Sequence, residues 1–221
     1  MTTTPAHFFL KAMIGCLALV FACGGGSGGG QAPAPATVEK GLIIFFGDSL
    51  TDGYTLPREQ AYPALIQQKI TVENLSFVVK NAGVSGDTSA DGLRRIDREL
   101  ADPVAVFVLA LGVNDAGDDL PASVVEQNLQ QILSRVKTAF PNVKLVVAGV
   151  DLPVIMSRQQ NQEYQAMYQR LAVNNEALLI PNFLSGLASN PAFNLSDSIH
   201  PNSAGYRVIA DTVWANLKTI L

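Results

Sequence analysis

Of the two histidines in the 221 residues, His7 lies in an apolar leader, and His200 is the one that remains in the body of the chain. Imidazole is the side chain whose charge changes near neutral pH, so a reaction that needs a base there has one imidazole to use. It sits in Asp197-Ser198-Ile199-His200-Pro201. A carboxylate three residues ahead of an imidazole can fold back to its Nδ1–H, fix the tautomer and stabilise an imidazolium. The same residues also suit a helix-entry Asp beside a surface His. The candidate nucleophile is Ser49, in Phe46-Gly47-Asp48-Ser49-Leu50, at the break after an apolar run. A serine at a strand-to-helix turn presents its hydroxyl and its own N–H at the carboxyl edge of a sheet, although ordinary turn serines share that setting.

Two further segments supply donors. Asn81-Ala82-Gly83-Val84-Ser85-Gly86-Asp87-Thr88 follows a second apolar run, and Gly86 can offer a backbone N–H with no side chain in the way. Leu111-Gly112-Val113-Asn114-Asp115 follows a third, and Asn114 can aim an amide into the same crevice. A nucleophile N–H, a glycine N–H and an asparagine amide together make an oxyanion hole. Taken singly, each is also a normal turn residue. Asp48, Asp87 and Asp115 are expected to order these loops, and turn and cap chemistry accounts for Asp52.

Positioning such a set requires strands that end at one edge. Continuous apolar runs predict buried strands at Gly41–Phe46, Leu75–Lys80, Val104–Leu111, Lys144–Val150 and Ala177–Ile180. Helices are expected at Gln60–Ile70, Asp91–Leu100, Pro121–Phe140 and Glu163–Asn174. A last one, opened by Pro201, has Tyr206, Ile209, Val213 and Leu217 inward. Ser123 and Glu126 have capping-box spacing at the start of the third, Pro121–Phe140. Alternating strand and helix implies a parallel sheet with helices on both faces, with ligands beyond the carboxyl ends of the strands.

FGDSLTDGY at 46–54, SGDT at 85–88, GVND at 112–115 and DSIHP at 197–201 resemble, in this order, the sequence blocks of the GDSL/SGNH hydrolases. NAGVSGDTSADGL, ALGVND and Asp151-Leu152-Pro153 are most similar to the bacterial subgroup of acyl-CoA thioesterase I, lysophospholipase L1 and arylesterase. The resemblance covers residues 42–221. It implies an α/β fold, a flavodoxin-like three-layer α/β/α sandwich on a five-stranded parallel sheet. It also implies a serine ester hydrolase without a cofactor. Ser49 is then the nucleophile, Asp197 and His200 its partners, and Ser49, Gly86 and Asn114 the oxyanion donors. Carboxylic esters and thioesters are the expected substrates. A carbohydrate acetylesterase, or a non-catalytic acyl- or glycan-binding lipoprotein on the same fold, are the alternatives.

Leu152, Pro153, Val154 and Ile155 leave the fourth strand beside this crevice and are candidates to contact an acyl chain. Tyr164, Met167 and Tyr168 on the next helix either join that rim or pack the core.

The amino-terminal residues read as an address. Lys11 precedes an apolar run, Ala12–Ala22, too short to span a bilayer but suited to a signal peptide, residues 1–22. Val20-Phe21-Ala22-Cys23 resembles a bacterial lipoprotein signal, with Cys23 as the lipidation site. Residues 23–40, with GGGSGGG and QAPAPAT, form a tether, and 41–221 the hydrolase domain. A lipid anchor at Cys23, followed by Gly24, predicts the periplasmic side of the outer membrane. Both cysteines lie in this leader, so the body can form no internal disulfide. The net charge of -4 without a Lys/Arg cluster argues against a nucleic-acid partner, and a monomer is expected. One body histidine and no HExxH motif give no metal site. GGSGG at 25–29 matches G-x-S-x-G only formally, with no strand before it.

Overall fold

The computed structural model describes residues 40–221, so the leader, Cys23 and most of the tether lie outside the described residues. The apolar runs form the five strands: β1 (Gly41–Gly47), β2 (Phe77–Gly83), β3 (Val104–Ala110), β4 (Lys144–Ala148) and β5 (Leu178–Ile180). A strand covered on both faces has no use for polar alternation, and Ile43, Ile44, Phe45 and Phe46 are each fully buried. All pairings are parallel, in the order β2-β1-β3-β4-β5. The chain leaves β1 toward β2 and then crosses back to β3 on its other side. The switch point of the sheet therefore lies between the carboxyl ends of β1 and β3.

The main helices are α2 (Tyr62–Val72), α3 (Ser89–Glu99), α5 (Ala122–Ala139), α6 (Arg158–Asn174) and α7 (Ser203–Leu217). α2 packs on α7, while α3, α5 and α6 pack in a row, the two layers that right-handed crossovers place on opposite faces. The apolar stripe of α5, Val125, Leu129, Ile132, Leu133 and Val136, is wholly buried, as are Tyr206, Ile209, Val213 and Leu217 of α7. This is the expected three-layer α/β/α sandwich on a five-stranded parallel sheet. Two one-turn helices, α1 (Ser49–Asp52) and α4 (Val113–Gly117), follow β1 and β3 directly and carry candidate site residues.

Several boundaries differ from expectation. α5 has no side-chain cap; Pro121 precedes it, and Glu126 instead pairs with Arg170 of α6 at 2.6 Å. The capping box is on α3, where Thr88 Oγ1 accepts from Asp91 N–H and the Asp91 carboxylate accepts from Thr88 N–H. α6 begins five residues before Glu163, capped by Ser157. Pro201 does not open α7; it bridges to Asn194, and Asn202 Oδ1 caps the helix by accepting from Ala204 and Gly205.

Candidate active site

Gly47, the last residue of β1, is flanked in register by Gly83 of β2 and Ala110 of β3, so three chain segments leave the sheet side by side. Ser49, Gly86 and Asn114 stand two, three and four residues beyond those ends. Ser49 is the first residue of α1, whose N-cap is Asp48; the Asp48 Oδ1 accepts from Leu50 N–H at 2.9 Å. Tyr206 from α7 donates its hydroxyl to the Ser49 carbonyl at 3.4 Å. A Cβ on Gly83 would lie 2.3 Å from Asp52 N, so only glycine lets β2 approach this turn so closely.

The loop before α7 delivers the imidazole. Ser49 Oγ lies 2.9 Å from His200 Nε2, and His200 Nδ1 lies 2.8 Å from Asp197 Oδ2. The other oxygen of Asp197 accepts from the backbone N–H of Ile199 and of His200, both at 2.9 Å. Burial opposes ionisation of this carboxyl, but the His200 and Ile199 hydrogen bonds outweigh it and hold Asp197 below the usual carboxylate range. The structure thus brings the expected Ser, His and Asp into one hydrogen-bonded line.

The donor loops are tied to one another. One amide hydrogen of Asn114 donates to the Asp87 carbonyl at 2.8 Å, and the second remains for another acceptor. Val84 N–H donates to the Gly47 carbonyl at 3.0 Å. Gly86 has φ of +89°, in the left-handed region, and open space where a side chain would be. Neither its N–H nor that of Ser49 has an acceptor among the described residues. Two unengaged backbone donors and a spare amide hydrogen are the parts an oxyanion hole needs.

Asp115 and Asp87 order these loops, as expected, whereas Asp52 serves as a link to another loop rather than as a turn or cap group. Asp115, buried, accepts from Ser89 N–H at 2.8 Å and Ser89 Oγ at 2.6 Å. Asp87 pairs with Arg95, which also donates to the Gly47 carbonyl and lies over the Phe46 ring. Asp52 accepts from Arg58 at 2.6 Å and from Ser85 Oγ at 3.0 Å. Asp48 differs: its Oδ2 is buried with no partner among the described residues. Burial, with the charges of Asp115 and Asp87 adding to it against the Leu50 N–H, pushes its carboxyl up to about 7.

Residues 45–208 match the model of the GDSL-like lipase/acylhydrolase family. The chain belongs to this family. The hydrolase is 34% identical over 180 residues to the thioesterase 1/protease 1/lysophospholipase L1 of Escherichia coli, covering 81% of this chain and 84% of that protein. It is 30% identical over 208 residues to the esterase TesA of Pseudomonas aeruginosa, covering 94% and 96%. Its fold matches the psychrotrophic esterase EstA from Pseudoalteromonas sp., in a structure inhibited by monoethylphosphonate, with a TM-score of 0.75 and 25% identity over 81% of this chain and 98% of that one. This GDSL-family protein is a serine ester hydrolase, and the reading as a non-catalytic binding protein falls with that membership.

The residues expected to contact an acyl chain are only partly accessible. Leu152 is buried, Pro153 and Val154 are exposed, and Ile155 is half-buried. Tyr164, Met167 and Tyr168 are core residues: the Tyr164 hydroxyl donates to the Leu120 carbonyl and that of Tyr168 to the Leu111 carbonyl, each at 2.9 Å. Sequence reasoning missed Tyr54, whose ring stacks on the His200 imidazole with centroids 3.7 Å apart and planes 14° from parallel. It also missed the Arg58–Asp52–Ser85 link between the nucleophile turn and the Gly86 loop. Tyr54 lies inside the FGDSLTDGY block, but its partner comes from the far end of the chain, which no local pattern reveals.

Proposed function

We propose that this hydrolase cleaves carboxylic esters and thioesters of the arylesterase, acyl thioesterase and lysophospholipase type through an acyl-enzyme on Ser49. The continuous Ser49–His200–Asp197 line, at 2.9 and 2.8 Å, carries the reading. Ser49 Oγ attacks the acyl carbonyl carbon as its proton passes to His200 Nε2. The Asp197 carboxylate holds the imidazole by Nδ1–H and stabilises the imidazolium. The Ser49 N–H, the Gly86 N–H and the free amide hydrogen of Asn114 receive the oxyanion. As the tetrahedral intermediate collapses, the imidazolium gives its proton to the leaving alcohol or thiol. Water then attacks the acyl carbonyl as its proton passes to His200, and collapse breaks the acyl–Oγ bond, returns that proton to Ser49 Oγ and releases the acid. Every residue comes from one chain, and no step calls for a cofactor.

The exposed Pro153 and Val154 and the half-buried Ile155 give an apolar surface for an acyl or aryl group. A panel of p-nitrophenyl acyl esters, acyl-CoA and acetylated xylan separates this reading from a carbohydrate acetylesterase. Turnover of the first two with none of xylan is expected, and the reverse overturns the assignment. An organophosphonate ester should label Ser49 alone and leave Ser49→Ala unlabelled; a label elsewhere with Ser49→Ala still active removes Ser49 from the mechanism.

The location is part of the same proposal. Cys23 carries lipid, and the tether of residues 23–40 holds the domain at the periplasmic side of the outer membrane. Several acyl chains anchor stably where one binds only marginally. Support comes from the apolar run ending at Ala22-Cys23 and the Gly/Ser stretch behind it. Palmitate should label the full chain and not Cys23→Ser; equal labelling of both sinks the anchor.

A further inference from the structure

We propose that Tyr54 is a positioning residue for His200, its aromatic face stabilising the imidazolium that forms in each proton transfer. The inference rests on the Ser49–His200 reading above.

Four observations lead to Tyr54. Its ring lies 3.7 Å from the imidazole and within 14° of parallel, the separation of two flat groups in van der Waals contact. Its position does not come from core packing, because 36% of the residue is exposed. Its hydroxyl has no hydrogen-bond partner among the described residues, so the ring is the part engaged. And the backbone that delivers it is unfavourable: Tyr54 and Thr55 have φ of +20° and +48°, left-handed values that non-glycine residues avoid, a β-branched one above all. Such strain persists only where surroundings enforce it, and it concentrates where function needs a group in one place. Here it follows Gly53, the left-handed C-cap of the nucleophile helix, and turns the chain so that the ring covers the base.

The two edge contacts of His200, Nε2 to Ser49 and Nδ1 to Asp197, fix the imidazole in its plane but leave its faces free to tilt. Tyr54 closes one face. The face of an aromatic ring is electronegative, so the stack strengthens when the imidazole becomes a cation. That cation exists after Ser49 gives up its proton and before the leaving group takes it, so the gain falls on the chemical steps rather than on substrate binding. A stack of this kind, partly shielded from water, is worth a factor of about 5 to 30 in rate.

The test compares Tyr54→Phe, which keeps the ring, with Tyr54→Leu, which keeps apolar bulk without it. kcat and KM for p-nitrophenyl acetate are measured per phosphonate-titrated site, so that unfolded protein does not count. Tyr54→Phe is expected to stay within about twofold of wild type, and Tyr54→Leu to lose about 5- to 30-fold in kcat with KM within about twofold. Wild-type kcat in Tyr54→Leu overturns the proposal, as does an equal loss in Tyr54→Phe or a loss confined to KM. Ser49→Ala and His200→Ala are measured alongside. If either remains active, the underlying Ser–His reading fails; if both are inactive while Tyr54→Leu is normal, only the stacking role fails.

Discussion

Asp48→Asn should make the enzyme's stability less sensitive to pH. The wild-type carboxyl sits beside the nucleophile, fully buried, with Oδ1 on the Leu50 N–H and Oδ2 unpartnered among the described residues. Burial pushes it from 3.8 up to about 7. A group whose folded pKa is raised contributes stability that is complete below the unfolded value and is lost as pH climbs through the folded one. Between about pH 4 and 7 the unfolded chain has released this proton and the folded one has not. Over that window of about three units, at 1.36 kcal/mol per unit, stability should fall by about 4 kcal/mol and then level off.

The asparagine removes this dependence and keeps the cap, since its Oδ1 can accept the same Leu50 N–H. Its amide nitrogen replaces the unpartnered Oδ2, and a buried donor without an acceptor costs about 1–3 kcal/mol. That penalty does not vary with pH. The diagnostic is therefore the difference between the two proteins' unfolding free energies, measured in urea from pH 4 to 8. The difference should move by about 4 kcal/mol in favour of the variant as pH rises, whatever its starting sign. Parallel curves would show that Asp48 is ionised throughout in the folded protein, and the assignment of burial as the dominant influence on it would be wrong.

Two further outcomes follow from the site. His200→Ala should abolish turnover of p-nitrophenyl acetate, since His200 is the sole imidazole of the body, and wild-type turnover in that variant would identify another base. Asn114→Ala should lower kcat per titrated site by roughly 10²–10³-fold with little change in KM, because its free amide hydrogen faces charge that develops only in the transition state. It should also lower the melting temperature, because the Asp87 carbonyl loses its donor. A normal kcat with a lowered melting temperature would reduce Asn114 to a loop-ordering residue.

Legibility in the sequence followed the range of the interaction. The strands were readable because burial on both faces demands an unbroken apolar run, which Ile43–Phe46 and Val106–Leu109 satisfy. The stripe of α5 was readable for the same reason, in helical period. Helix starts were not, because a capping residue competes with distant partners. Glu126 has the spacing to serve Ser123, yet Arg170, 44 residues on, takes its carboxylate in three contacts. The working box, Thr88 and Asp91, was hidden in a loop whose glycines and serines drew attention to other chemistry. The Ser49, His200 and Asp197 candidates were legible because few residue types can do their chemistry. Tyr54, Arg58 and Arg95 act through geometry that only the folded chain creates.

Choosing among the carboxylates shows what the fold adds. Asp48, Asp52, Asp87, Asp115 and Asp197 all belong to the segments that carry the site residues, and composition does not say which one should orient an imidazole. A carboxylate neutralised by an arginine has little negative potential left for an imidazolium, which sets aside Asp52 on Arg58 and Asp87 on Arg95. Asp115 spends both oxygens on Ser89, holding the start of α3 against the loop that bears Asn114. Asp48 is raised by burial and has one oxygen on the α1 cap. Asp197 alone among the five is held on the ionised side with an oxygen on the imidazole, and its other oxygen is fixed by the backbone of the residues that carry that ring. The same two backbone bonds that lower its pKa also set its angle, so charge and aim arise from one turn. Under the proposed mechanism that coupling gives Asp197→Asn a double effect. The amide brings no negative charge, and if its NH₂ faces Nδ1 it forces the proton onto Nε2, the position that must be free to accept from Ser49.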